Sequence, residues 1–227
     1  GGGMICDLGG FAASTYKRGI DFINIPTTLL SMVDAAIGGK TGINFLGFKN
    51  QIGVFKNPNF ILIDIKFLKT LPYREFLSGY AEVIKHSLII DPILWELLKN
   101  NNPKDNNIDY EIIKRAVLVK HNIVITDPKE KNIRKILNFG HTIGHAFESY
   151  SLNNDAHPLT HGEAVAMGII CELYLSVVFN GFQKILADDI TKFILSLYPY
   201  YELKTEAIPK LLDIILQDKK NKNGNFN

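Results

Sequence analysis

From Thr70-Leu71-Pro72 onward the chain reads as helix almost without interruption, and this limits its possible folds more than any other feature. Over residues 73–90 the apolar side chains Phe76, Tyr80, Val83, Ile84 and Leu88 recur close to the 3.6-residue period of an amphipathic helix. Asp91-Pro92 supplies an N-cap carboxylate and a proline at the first helical position. Further helices are expected over 110–125, 133–150, 161–179, 182–197 and 207–217, with strand signals nearly absent. Residues 1–71 differ. They are rich in glycine and short apolar runs, with strands expected at Ile20 to Ile25 and Phe60 to Ile63, a short helix at Leu29 to Ala36, and a loop at Asn44 to Asn50. The predicted fold class is α/β plus all-α: the remainder of an α/β layer over 1–71, then a helical domain over 72–227.

The 227 residues are 46% hydrophobic and 21% charged, which gives material for a sizeable core and excludes a disordered charged tail. A net charge of +2 offers no basic footprint for nucleic acid. No apolar run long enough for a membrane helix is read, and no signal peptide. Cys6 and Cys171 are too few to staple the chain and fit a reducing compartment, the cytoplasm. The start at Gly1-Gly2-Gly3 is read either as a tag or as the edge of a missing piece.

Four of the six histidines, His141, His145, His157 and His161, fall within 21 positions. His141 and His145 are spaced i, i+4, so both project from one face of the expected helix, and His161 opens the next. Gly140 and Gly144 precede the first two and leave room for a close approach. The spacing admits two readings: imidazole ligands of a zinc-type metal with one open position, or a hydrogen-bonded pair inside a helix interface. His157 reads as a solvated loop residue. Glu82 and Lys85 lie i, i+3 in an otherwise apolar helix, where charge needs a metal, an anion or an opposite charge beside it. Arg18-Gly19, Lys40 after Gly38-Gly39, Lys49-Asn50, Lys120 and Arg134 with Asn138 are candidate anion contacts, each weak alone, and from spacing Lys120 and Arg134 read first as a solvated helix face.

Taken together, these blocks resemble the 3-dehydroquinate synthase family. The matching segments are Gly1-Gly2-Gly3 with Asp7, Arg18-Gly19, Pro26-Thr27-Thr28 with Asp34, Gly38-Gly39-Lys40-Thr41, Lys49-Asn50, Phe67 to Pro72, Ala81-Glu82-Val83-Ile84-Lys85, Leu137 to His145, His161-Gly162-Glu163 and Asp218-Lys219-Lys220. They run in family order along nearly the whole chain. The resemblance implies an N-terminal α/β NAD-binding domain and a C-terminal helical metal domain. It implies a cytoplasmic homodimer with no nucleic-acid or membrane partner. NAD and one divalent metal, zinc or cobalt, would serve conversion of 3-deoxy-D-arabino-heptulosonate 7-phosphate to 3-dehydroquinate and phosphate.

Carried over residue by residue, the resemblance makes Glu82, His141 and His161 the metal ligands and His145 a non-ligating residue near the substrate. Lys85, Lys120, Arg134 and Asn138 join His145 as catalytic residues. Arg18, Asp34, Lys40, Asn50, Lys219 and Lys220 bind substrate, with Asp34 paired to the 218–220 segment. NAD contacts fall on Gly3, Met4, Ile5, Cys6, Asp7, Thr27, Thr28, Lys40, Lys49, Phe67, Leu68, Lys69 and Thr70. Family members carry a further N-terminal part with half of the NAD pocket, so the chain is expected to supply one wall of that pocket and to expose apolar surface near Ile20 to Ile25. Three alternatives stay open: another sugar-phosphate cyclase, a related metal-dependent alcohol dehydrogenase, and an inactive fragment that binds metal or mediates assembly.

Overall fold

A computed structural model describes residues 1–45 and 48–217, which fall into two compact units divided between Leu137 and Asn138. Lys219 and Lys220 lie outside the described residues, as does the Lys49 side chain. The composition change at 70–72 falls inside the first unit.

The first unit opens with helix α1, Gly3–Thr15, capped by Gly2. Five glycines in the first ten residues of the chain hide its period, and the sequence pattern did not announce it. A π-helical turn at Ser31–Ala35 occupies the expected short helix and packs against α1. The expected loop at Asn44 to Asn50 is a correction: its described residues, 44–45 and 48–50, lie in two antiparallel paired strands, β1, Lys40–Phe45, and β2, Phe48–Phe55. Gly42 pairs with Gly53 across this strand pair, and interior glycines are what made the segment read as loop. The strands expected at Ile20 to Ile25 and Phe60 to Ile63 are a second correction. They form no regular strands and meet at a single parallel bridge, Asn24 to Ile61, where the Asn24 amide donates to Phe60 and the Leu62 amide donates to Asn24. Ile20, Ile23 and Ile25 are exposed, as expected, and so are Phe60 and Leu62.

Three helices complete this unit: α2 at Tyr73–Ile90, α3 at Pro92–Asn100 and α4 at Tyr110–Thr126. The Asp91 carboxylate caps α3 by accepting from the Leu94 amide at 3.0 Å, as its sequence position predicted. Helix α2 packs on α3, α4 and the π-helical turn, and every residue from Phe76 to Ser87 is buried. Burial on all faces explains why three ionisable residues of this helix, Glu82, Lys85 and His86, sit inside protein.

The second unit holds α5, His141–Asn154; α6, His161–Asn180; α7, Lys184–Leu197; and α8, Ile208–Gln217. The single helix expected over 133–150 is corrected to a 3-10 turn at Ile133–Asn138 and then α5. Gly140 stops the first and starts the second in a left-handed conformation, φ 77°, where a Cβ would meet Ile169 Cγ1 at 2.5 Å. Gly144 likewise faces Ala164 of α6. These glycines therefore serve helix packing. Thr160 and Glu163 form a capping box at the start of α6. By length and composition α6 is long and apolar enough to cross a membrane, with 44% of its apolar window buried, which corrects the expectation that no such segment exists. It packs on α5 and α7, and α5 packs on α8 around Ala146, Leu211 and Ile215.

Candidate active site

Three of the expected substrate and catalytic residues, Asp34, Lys85 and Lys120, share one electrostatic neighbourhood in the first unit with Glu82, an expected metal ligand. Helix α2 carries Glu82 and Lys85 one turn apart, both buried, as a direct ion pair. The π-helical turn carries Asp34, and α4 carries Lys120; these two also form a direct ion pair. Burial works against the Asp34 carboxylate, but the Lys120 ammonium outweighs it and holds the carboxyl well below the usual range. Asp34 was expected to pair with the 218–220 segment; among the described residues its partner is Lys120.

His86 is fully buried beside this cluster, and neither ring nitrogen finds a hydrogen-bond partner among the described residues. Burial first, then the Lys85 ammonium, pull its pKa down to about 3, so the ring is neutral. Asp34, Glu82 and His86 bring ligand-type atoms within 4.8 Å of one another, but Lys85 and Lys120 already place positive charge there. Asp7 of α1 senses the same cluster. Burial and then the Asp34 charge raise its pKa to about 6, against Lys120, a hydrogen bond from Asn50, and Lys40.

Lys40 opens β1 and pairs with Glu130. Arg134 is 2% exposed; its guanidinium donates to the carbonyls of Pro128 at 2.7 Å and Gly38 at 3.1 Å and lies over the Phe55 ring. Arg18 stands apart, exposed in a left-handed turn.

The expected NAD contacts Gly3 to Asp7 form the first turns of α1, with Met4 and Ile5 exposed and Cys6 buried. Thr27 donates its amide to Gly1 at 2.9 Å, and the Thr28 hydroxyl meets Ser31 at 2.9 Å. Phe67 to Thr70 lie in a 3-10 turn. Leu68 is buried there and offers a ligand only its backbone. Cys6 and Cys171 are both free thiols.

In the second unit the three expected histidines come together. Ring centroids are 5.3 Å apart for His141 and His145, 5.4 Å for His141 and His161, and 6.0 Å for His145 and His161. The first two come from one face of α5, as their spacing predicted, and the third from the first residue of α6. His141 directs Nδ1 to the Phe139 carbonyl at 3.2 Å, and His161 directs Nδ1 to Glu148 Oε2 at 3.3 Å. A neutral ring that donates from Nδ1 keeps its Nε2 lone pair for a metal. His145, Glu148 and His161 also hold ligand-type atoms within 4.8 Å of one another. Glu148 was not singled out from sequence. Its one available signal is the i, i+3 spacing from His145 on α5.

Comparisons with known proteins agree along the whole chain. Residues 1–78 match the family model described as 3-dehydroquinate synthase N-terminal, and residues 79–221 match 3-dehydroquinate synthase C-terminal. A 3-dehydroquinate synthase of Parabacteroides distasonis is 48% identical over 229 residues, covering 100% of this chain and 65% of that protein. One from Sulfurisphaera tokodaii is 44% identical, covering 99% of this chain and 65% of its own length. The chain thus spans just under two thirds of the length of these two relatives. Among solved structures, a 2-epi-5-epi-valiolone synthase from Streptomyces hygroscopicus with NAD+ and Zn2+ bound superposes with a TM-score of 0.83 at 28% identity, over 98% of this chain and 62% of that one. A 2-deoxy-scyllo-inosose synthase complexed with carbaglucose-6-phosphate, NAD+ and Co2+ gives 0.81 at 25% identity, over 100% and 62%.

Proposed function

We propose, from the premise that this chain belongs to the 3-dehydroquinate synthase family, that it acts in the NAD- and metal-dependent conversion of 3-deoxy-D-arabino-heptulosonate 7-phosphate to 3-dehydroquinate and phosphate. The observation that carries this reading is the histidine triangle, with Nδ1 of His141 and of His161 each held by a protein acceptor. Such rings present Nε2 to a divalent metal, and imidazole with carboxylate suits zinc or cobalt. Glu82, His141 and His161 are the proposed ligands, and His145 is the proposed polar neighbour of the substrate. The solved cyclases with NAD+ and Zn2+ or Co2+ support the cofactor assignment. When bound, NAD takes up and returns a hydride while the metal polarises the substrate hydroxyl.

The remaining work falls to charged side chains of the chain itself. Lys40, Asn50, Lys85 and Asn138 hold the phosphate, with Arg18, Lys219 and Lys220 as further anion contacts. Lys120 and Arg134 hold the carboxylate, for which a planar guanidinium is well shaped. Asp34 keeps the buried Lys120 ammonium charged and in place. The start of α1, Gly3 to Asp7, offers backbone N–H groups to the NAD pyrophosphate, with Thr27, Thr28, Lys49 and Phe67 to Thr70 completing that wall. A cytoplasmic homodimer without nucleic-acid or membrane partners goes with this reading.

A second reading, another sugar-phosphate cyclase, is favoured by the solved structures, which are synthases named for other products. Curated relatives named 3-dehydroquinate synthase are more similar in sequence, at 38–48% identity. The two readings separate by product analysis of the NAD- and zinc-loaded protein with each sugar phosphate. Phosphate release and 3-dehydroquinate from the heptulosonate alone support the first. Turnover of a hexose or heptulose phosphate lacking the carboxylate overturns it.

A further inference from the structure

Asp127 follows the last residue of α4 and carries no role in the assignments above, yet its carboxylate gathers three backbone amides of the next turn. It is 7% exposed. Its Oδ1 accepts from the Lys131 amide at 3.0 Å, and its Oδ2 accepts from the amides of Asn132 at 2.6 Å and Arg134 at 3.2 Å. Its own carbonyl accepts from the Glu130 amide at 3.3 Å. Residues 127–134 are thereby closed into a loop around one carboxylate. Burial disfavours that charge, but the three amide donors outweigh it and hold the carboxyl below its usual range.

Two side chains reach out from this loop to the strand pair. Glu130, in a left-handed conformation with φ 53°, pairs with Lys40. Arg134 donates to Pro128 within the loop and to Gly38 beside the strand pair. Gly38 has φ 102°, and a Cβ there would fall 2.5 Å from the Arg134 Nη2 atom. The guanidinium therefore has one tight seat, and the loop must deliver it there. A strained residue such as Glu130 persists only where its surroundings over-determine it. Here the surrounding constraint is the Asp127 carboxylate.

We propose that Asp127 is a positioning residue that templates the 127–134 loop and so sets Arg134, and the Glu130 partner of Lys40, for an acidic sugar-phosphate substrate. This rests on the function proposed above for Arg134 and Lys40. Loss of the carboxylate leaves three amide donors unsatisfied and lets the guanidinium drift, and a misplacement of about 1 Å can cost on the order of 100-fold in rate.

The test is a double-mutant cycle in the full-length, NAD- and zinc-loaded protein. Asp127→Ala is expected to raise KM for the substrate about 10-fold or more with a smaller fall in kcat, and to leave bound metal unchanged. Asp127→Asn keeps one oxygen for the Asn132 and Arg134 amides and is expected to recover part of the loss. It also serves if the alanine variant does not fold. In an Arg134→Ala background the Asp127 substitution is expected to cost little more. Fully additive losses, or a wild-type KM in Asp127→Asn and Asp127→Ala alike, overturn the proposal. If the wild-type protein does not turn over this substrate, the functional reading fails, and hydrogen exchange still decides the loop. Unchanged protection at Lys131, Asn132 and Arg134 in the Asp127 variants overturns the template role; faster exchange confined to those amides supports it.

Discussion

His161 donates Nδ1–H to the Glu148 carboxylate at 3.3 Å, from the first residue of α6 to the second turn of α5. A carboxylate behind a metal-binding histidine fixes its tautomer and ring plane. Glu148→Ala is expected to weaken zinc or cobalt affinity by about 10- to 100-fold, with Glu148→Gln weakening it less, since the amide oxygen still accepts. A chelator-competition titration reads this directly. Unchanged affinity in both variants would show that Glu148 does not support the metal centre.

His145 separates two ways of building that centre. If Glu82, His141 and His161 are the ligands, His145→Ala keeps full metal content and loses much of kcat. If the His145, Glu148 and His161 grouping binds instead, the same variant loses metal in proportion. Metal analysis after dialysis distinguishes them.

Asp7 should make the protein less stable as pH rises. Its carboxyl titrates near 6 in the folded chain against 3.8 for the ordinary group, so the folded state binds more protons between those values. The stability from this group is fully present below about pH 4 and is lost as pH rises through 6. Asp7→Asn is expected to flatten that decline and to raise stability at pH 7 by about 1 kcal/mol, a figure discounted for partial exposure. Urea unfolding between pH 4 and 8 checks the slope. A wild-type curve that rises with pH as steeply as the variant's contradicts it.

The Asp34–Lys120 pair has the opposite sign. Asp34 is held below its ordinary value, so its contribution is present above the usual carboxylate range and is lost as pH falls through and below it. Lys120→Ala should cost about 2 kcal/mol, below the range for a fully buried pair because Asp34 keeps 25% of its side chain exposed. Lys120→Ala combined with Asp34→Ala should be less destabilised than Lys120→Ala alone. Thermal unfolding of the two variants decides it.

The helices were legible because their signals are local: the 3.6 period of α2, the Asp91-Pro92 start of α3, and the i, i+4 histidines of α5. The pair of β1 and β2 was not, because Gly42 and Gly53 give its strands the composition of a loop. The helix read over 133–150 was broken by Gly140, whose left-handed backbone and close fit against Ile169 across the α5–α6 contact both require glycine. Asp127 and Glu130 were invisible for a different reason. Asp127 binds backbone amides, which have no sequence signature, and Glu130 meets Lys40 ninety residues away.

The central claim, a metal centre held by Glu82, His141 and His161, is tested most directly by metal stoichiometry in Glu82→Ala beside the wild type. The wild-type protein is expected to hold one divalent metal per chain. The variant is expected to lose it after dialysis while its helical circular dichroism stays unchanged. Full retention of metal by a folded Glu82→Ala protein would contradict the account.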